Sequence, residues 1–214
     1  IHDSHDRAQV AEMVINCELA EIGRDAGCQM MVEGPGHVPM DEIQGNIMLE
    51  KRMSGNAPYY VLGPIPADTG AGLDHITAAI GAASSARYGA DLICYITPAE
   101  HLALPNAEDV RQGVRATRLA ARIGDISKYP EQRETEKMAA LARRDMQWQD
   151  LESLLMFPEE ARRIRDSRAP EKAETCTMCG DFCAMKKGMA LFAQDIGGDK
   201  QAPGRSAAAQ GGGA

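Results

Sequence analysis

The sequence lacks any apolar run close to the ~20 residues that a membrane-spanning helix needs. It also lacks a block of basic residues, and its net charge is −8 at pH 7. An acidic chain of this kind is a poor partner for nucleic acids or anionic membranes. The chain begins with Ile1 rather than Met, and no secretory signal follows. We therefore expect a cytoplasmic protein that binds neither nucleic acid nor membrane, and we expect the chain to be a fragment.

The common nucleotide-binding and hydrolase motifs are absent as well. The Gly-Pro-Gly-His37 and Gly-Ala-Gly72 loops have neither the Lys-Ser/Thr pair of a Walker loop nor the glycine spacing of a dinucleotide fold. No pattern resembles a Ser-His-Asp arrangement. The content of 44% hydrophobic and 25% charged residues is that of an ordinary globular protein.

What the sequence does contain is a group of cysteines near its end. Three of the six cysteines, Cys176, Cys179 and Cys183, are spaced C-x2-C-x3-C. A closed zinc or cubane site takes four ligands, so three thiolates leave one position of a [4Fe–4S] cluster for a non-protein ligand. A zinc site completed by a distant histidine, and a disulfide with a spare thiol, remain alternatives. We interpret the other cysteines as reduced core residues: Cys17, Cys28 and Cys94.

Three β–loop–α units precede the cysteines. Short apolar runs at 28–32, 59–62 and 91–96 have strand length, and helical periodicity covers 1–27, 40–53, 74–89 and the stretch after Asn106. Ser4, Asp74 and Asn106 are predicted to cap three of these helices. Continuous apolar strands alternating with helices predict an α/β fold with a parallel sheet.

The pattern changes after residue 126, where no further strand is predicted. Charged amphipathic helices are predicted at 134–147 and 158–165, a polar linker at 167–174, and a disordered Gly- and Ala-rich tail at the end of the chain. We divide the chain into a β–α domain (1–130), a helical extension (131–170), a cysteine segment (171–190) and the tail (191–214).

Residues that could act in catalysis or in ligand binding follow each predicted strand. Glu33 and His37 follow the first strand, and Glu100 and His101 follow the third between two prolines. The second strand and its loop offer Tyr60, Asp68, Asp74 and His75. In parallel α/β folds, function collects at these loops, and two histidines from neighbouring loops can share one divalent metal ion. A surface loop remains the alternative for the Glu–His pairs, and a core position remains the alternative for Tyr60.

Longer motifs carry a resemblance that spacing alone does not. The blocks are Glu33-Gly-Pro-Gly-His-Val-Pro-Met, Tyr60-Val-Leu-Gly-Pro, Asp74-His-Ile-Thr, Cys94-Tyr-Ile-Thr-Pro-Ala-Glu-His-Leu-Ala-Leu-Pro-Asn106 and Cys176-Thr-Met-Cys-Gly. From about residue 8 to 187, the chain resembles the phosphomethylpyrimidine synthase family. This family makes the pyrimidine half of thiamine, and its near relative, 5-hydroxybenzimidazole synthase, serves anaerobic cobamide synthesis.

The resemblance implies a fold and a reaction. The fold is the C-terminal part of a (β/α)8 (TIM) barrel, followed by helices and a cysteine-rich cluster-binding arm. The reaction is a radical S-adenosylmethionine rearrangement of 5-aminoimidazole ribonucleotide, with formate and carbon monoxide as expected by-products. The family is homodimeric, with the arm reaching the active site of the partner subunit. A flavodoxin or ferredoxin is the expected electron donor.

The resemblance also implies roles for single residues. Glu33 and Tyr60 would bind the ribonucleotide, with Glu33 also acting in catalysis. His37 and His101 would bind a divalent metal ion, zinc or iron. The three cysteines of the C-terminal motif would hold a [4Fe–4S] cluster that binds S-adenosylmethionine: Cys176, Cys179 and Cys183.

Some positions depart from the family pattern. Three residues rather than four separate Cys179 from Cys183, the block 67–74 differs from the usual Thr-Asp-x-Ala-Pro-Gly-Tyr-Asp, and a histidine expected near Arg122 is absent. The leading hypothesis is the pyrimidine product of thiamine biosynthesis, and the benzimidazole product is the alternative. A second alternative is a non-catalytic zinc or electron-transfer protein. In that case, adding S-adenosylmethionine would not change the spectrum of the reconstituted cluster.

Overall fold

A three-stranded parallel sheet forms the centre of the β–α part of the chain in the computed structural model, which describes residues 6–168 and 178–188. Its strands are β1 (Val32–Glu33), β2 (Tyr59–Leu62) and β3 (Leu92–Cys94), in that order. Both pairings are parallel. The prediction of an α/β fold with a parallel sheet is confirmed, although β1 and β3 are shorter than their apolar runs.

Seven helices alternate with or follow these strands within residues 6–168 of the described chain. They are α1 (Arg7–Asp25), α2 (Ile43–Met53), α3 (Asp74–Tyr88), α4 (Ala107–Lys128), α5 (Pro130–Arg144), α6 (Trp148–Leu154) and α7 (Pro158–Asp166). Of these helices, α6 is not predicted from the sequence. The chain divides into two units, 1–136 and 137–214. None of the helices in the described residues is both long and apolar enough to cross a bilayer.

Of the three helix caps predicted from the sequence, the described part of the structure has one, Asn106. Asn106 caps α4 with a full capping box, as predicted: its side chain accepts from the Asp109 amide, and the Asp109 carboxylate accepts from the Asn106 amide. The cap of α1 is Asp6 instead of the predicted Ser4, because the helix begins at Arg7 and the Asp6 carboxylate accepts a hydrogen bond from the Gln9 amide. Asp74 is the first residue of α3 rather than its N-cap, which is Leu73.

One face of the sheet is packed against helices. Val32, Tyr59 and Val61 point to this face and are buried against Ile43 and Ile47 of α2. Successive strand residues point to opposite faces, so Glu33, Tyr60 and Leu92, which are neighbours in the register, share the other face. Glu33 and Leu92 are exposed and Tyr60 is half-buried. The sheet therefore has an apolar face under the helices and an open face that carries functional groups.

The predicted first strand is wrong over most of its length. Strand pairing begins only at Val32, and Cys28 is exposed rather than in the core. The reason is the turn that ends α1: Gly27 has a φ of 82°, and the Cys28 amide donates to the Gly23 carbonyl. Cys28 thus belongs to the end of the helix, while Cys17 is buried as expected.

The second unit contains a helical hairpin of α6 and α7. The Arg165 guanidinium lies 4.8 Å from the centre of the Trp148 ring, which is cation–π distance. A groove of about 380 Å³ runs beside this pair between Leu151, Leu155 and Ile164. The tail at 191–214 lies outside the described residues.

Candidate metal and substrate site

His37 is placed by a loop that crosses the end of the sheet. The Gly34 amide donates to the Tyr60 carbonyl at 2.7 Å, and the Ile65 amide donates to the Gly36 carbonyl at 2.7 Å. His37 itself forms a parallel bridge with Ile65. A Cβ at Gly34 would overlap the Tyr59 hydroxyl, so glycine is needed for this close approach. The loop is therefore held by backbone pairing on both sides of the histidine.

His101 is placed by a turn after β3. The Glu100 amide donates to the Thr97 carbonyl at 3.2 Å, and the Ala103 amide donates to the Ala99 carbonyl at 2.9 Å. His101 has a φ of 63°, a left-handed conformation that is uncommon for residues other than glycine. The turn directs the His101 ring toward the loop that carries His37.

The two imidazole rings lie side by side. Their centroids are 5.2 Å apart, and their planes are inclined by 49°. Two imidazoles on one tetrahedral ion, with metal–nitrogen bonds of ~2.0–2.1 Å, have ring centres about 5 Å apart. The spacing of His37 and His101 thus suits a shared divalent ion. No group of three or more His, Cys, Asp or Glu side chains suited to a metal occurs among residues 6–168 and 178–188, so this pair would need further ligands.

Each histidine faces a carboxylate through the same ring nitrogen. His37 Nδ1 lies 3.0 Å from Asp68 Oδ1, at hydrogen-bond distance. His101 Nδ1 lies 4.0 Å from Asp74 Oδ2, at ion-pair distance. The Asp74 side chain is 3% exposed, whereas that of Asp68 is 50% exposed. The sequence placed both aspartates in the loop region but did not pair them with the histidines.

Glu33 and Tyr60 lie next to each other on the open face of the sheet, since they are register partners. The Tyr60 pKa is raised to about 12, chiefly by a hydrogen bond with the Cys94 thiol and then by burial, with Glu33 adding to the effect. Tyr60 is therefore a neutral phenol at physiological pH. The apolar pattern around Cys94 predicts a core position for this residue. It is only half-buried, because Cys94 is two residues after Leu92 in β3 and therefore points to the same open face, where it is the register partner of Leu62.

Two of the three clustered cysteines lie in the described residues. Cys179 is exposed and Cys183 is buried, and both are free thiols. A short 3-10 turn, Gly180–Phe182, separates them, and Gly180 has a φ of 51°. Cys176 lies outside the described residues. Soft thiolates of this kind suit an iron–sulfur cluster or zinc.

The fold and the site define a class of protein: an α/β enzyme with ligand-bearing loops at the carboxyl ends of parallel strands and a separate cysteine motif. The chain belongs to the radical SAM ThiC family, whose model matches residues 1–189. Membership confirms the resemblance inferred from the sequence. The family name implies S-adenosylmethionine and an iron–sulfur cluster as cofactors.

Individual relatives are similar over almost the whole chain. It is 76% identical over 204 residues to 5-hydroxybenzimidazole synthase of Desulforapulum autotrophicum, covering 95% of the chain and 46% of the relative. It is 67% identical over 201 residues to the protein of the same name from Geobacter metallireducens, covering 94% and 46%. Phosphomethylpyrimidine synthase 2 of Methanosarcina mazei is 54% identical over 186 residues, covering 86% and 44%. The chain thus spans about half the length of these relatives.

Proposed function

We propose that the full-length protein to which this chain belongs is a radical S-adenosylmethionine enzyme that makes 5-hydroxybenzimidazole from 5-aminoimidazole ribonucleotide. The observation that carries the proposal is the difference in identity. Relatives named 5-hydroxybenzimidazole synthase are 62–76% identical to the chain, and those named phosphomethylpyrimidine synthase are 53–54% identical. The sequence motifs alone favour the pyrimidine product, whereas these identities favour the benzimidazole alternative.

The open face of the sheet supports the choice of Glu33 and Tyr60 as substrate-binding residues. A carboxylate accepts hydrogen bonds from the amino group of an aminoimidazole, and a neutral phenol donates one to a ring nitrogen or a ribose oxygen. Glu33 is exposed on this face and Tyr60 is half-buried beside it. Together they orient the ribonucleotide, with Glu33 also polarising the ring during reaction.

The cysteine motif is proposed to bind the cluster through Cys176, Cys179 and Cys183. With three thiolates, one iron stays open for S-adenosylmethionine. The bound cofactors supply the radical chemistry. The cysteines hold the cluster, and the surrounding protein keeps water away from the substrate.

His37 and His101 are proposed to bind the auxiliary divalent ion, zinc or iron. Their neighbouring rings and the donor nitrogens suit either metal. In this role the two histidines fix a positive charge beside the substrate site, where it attracts the anionic ribonucleotide. Water or substrate atoms would complete the ligand set.

The whole protein is proposed to be a homodimeric TIM barrel with its cluster arm donated to the partner subunit. The three parallel strands with helices on one face agree with part of such a barrel, and the open face then becomes its lumen. A flavodoxin or ferredoxin is the proposed electron donor, and the cytoplasm is the proposed location.

The test is the product of the full-length protein. The cluster is reconstituted anaerobically, reduced, and mixed with S-adenosylmethionine and 5-aminoimidazole ribonucleotide, and products are separated by chromatography and identified by mass. We expect 5-hydroxybenzimidazole. The thiamine pyrimidine phosphate as the sole product would contradict the proposal.

Two variants control this assay. Cys179→Ser removes a proposed cluster ligand, so it should form no product, and it should show no spectral change with S-adenosylmethionine. Cys28→Ser changes an exposed cysteine at the end of α1, and it should behave as the unaltered protein. Equal activity of both variants would contradict the assignment of the cluster.

A further inference from the structure

The two histidines share a feature that their loops do not explain. Both turn Nδ1 toward a carboxylate, His37 toward Asp68 and His101 toward Asp74. The two aspartates come from the same segment, the loop and the first turn of α3 that follow β2. This segment lies in sequence between the two histidine loops, so one element faces both rings.

Of the two carboxylates, Asp74 gives the stronger evidence for this arrangement, because it is buried. Its side chain is 3% exposed, and Oδ2 has no hydrogen-bond partner among the described residues. A buried carboxylate oxygen without a hydrogen-bond partner is costly. Its place in the first turn of α3 supplies part of the compensation through the helix dipole. His101, whose side chain is half-exposed, brings Nδ1 to 4.0 Å from Asp74 Oδ2, which is ion-pair distance.

Asp68 taken alone would carry less weight, because an exposed ion pair contributes little to stability. Its contact matters because it repeats the arrangement around Asp74. A histidine that donates its Nδ1 proton to a carboxylate keeps the Nε2 lone pair for a metal ion. Carboxylates behind ligating histidines fix both the ring and the tautomer.

We propose that Asp68 and Asp74 are positioning residues that hold His37 and His101 in the Nδ1–H tautomer, with both Nε2 atoms presented to one divalent metal ion. This inference rests on the proposed metal role of the two histidines. Neither aspartate is proposed to touch the metal or the substrate.

The experiment measures metal affinity in the full-length protein without substrate. Zinc affinity is determined by competition with a chromophoric chelator, and the absorption spectrum of bound Co²⁺ reports the ligand geometry. Asp68→Asn and Asp74→Asn should each weaken zinc binding by about 10- to 100-fold and shift the Co²⁺ bands. Asp68→Glu, which keeps the carboxylate, should recover part of the affinity. The exposed control Asp41→Asn should match the unaltered protein.

Zinc affinity equal to that of the unaltered protein in either folded aspartate variant would overturn the proposal. Folding is checked by circular dichroism. If Asp74→Asn does not fold, Asp68→Asn decides the outcome, since the Asp68 side chain is half exposed. The readout separates this inference from the proposed function, because product identity is measured independently of zinc affinity.

Discussion

Gly81 of α3 lies directly against the carbonyl of Pro64 in the loop after β2, so closely that a Cβ at Gly81 would overlap the Pro64 oxygen. The helix can pack on this loop only because residue 81 has no side chain. The loop leads to Asp68, and α3 begins at Asp74. This contact therefore fixes the segment that faces both histidines.

Replacing Gly81 should disturb that segment. Gly81→Ala should lower the free energy of unfolding of the full-length protein by about 1–3 kcal/mol, because the added methyl group must displace backbone. The matched control is Gly45→Ala in α2, where a Cβ meets nothing within 4 Å. This change should raise stability by up to about 1 kcal/mol. Chemical denaturation measures both, and equal effects would contradict the packing.

Glu50 should make stability depend on pH. It is fully buried in α2, and neither carboxylate oxygen has a well-formed hydrogen bond in the described residues. Burial raises the Glu50 pKa, and the Ser54 hydroxyl lowers it by less. Because the folded pKa lies above the unfolded value, the stability contributed by Glu50 is present at low pH and is lost as pH rises through the folded pKa.

Glu50→Gln cannot titrate, so its advantage over the unaltered protein should grow as pH rises from about 4 to 7. At neutral pH we expect about 1–3 kcal/mol, the usual cost of a buried polar group without a partner. Denaturation at several pH values measures this difference. Glu18→Gln on the exposed side of α1 is the control. A difference that shrinks with rising pH would contradict the sign.

Tyr60→Phe should weaken substrate binding. Removing the hydroxyl deletes one neutral hydrogen bond to the ribonucleotide, worth about 0.5–1.5 kcal/mol, so KM should rise about 2- to 10-fold. The Tyr60 pKa of about 12 means that this effect should be constant between pH 7 and 9. Tyr129→Phe, at the exposed end of α4, should leave KM unchanged. A KM effect that disappears above pH 8 would contradict a neutral phenol.

The cysteine motif should bind about four irons per chain after anaerobic reconstitution of the full-length protein. Cys179→Ser and Cys183→Ser should lose the charge-transfer absorption, because each removes one of three thiolates. Cys17→Ala should keep it, since Cys17 is buried in α1, where its thiol faces the Glu50 carbonyl. One zinc per chain without charge-transfer absorption would support the zinc alternative instead.

Much of the β–α architecture is predictable because it depends on local pattern. The run at 59–62 is β2 with the predicted bounds, since a continuous apolar tetrapeptide between a proline and a glycine has few other conformations. Asn106 caps α4 as expected because the capping box is a contact between near neighbours. The histidine loops were also predicted to follow the strands, because parallel strands end at one edge of a sheet.

Other features depend on contacts that no local pattern encodes. Asp74 and His101 are far apart in sequence, since Asp74 begins α3 and His101 follows β3. The geometry of this pair also depends on the left-handed backbone at His101. The half-buried position of Cys94 follows from strand register, which an apolar run does not specify. Exact site geometry therefore required the structure.

The product assay can be made most direct by labelling the phosphate of 5-aminoimidazole ribonucleotide. 5-Hydroxybenzimidazole contains no phosphorus, whereas the pyrimidine of the thiamine pathway is a phosphate ester. The full-length protein, reduced and supplied with S-adenosylmethionine, should therefore yield a benzimidazole without label, and the label should be found only outside the benzimidazole fraction, unreacted ribonucleotide included. Label that stays with an aromatic pyrimidine would contradict the proposed function.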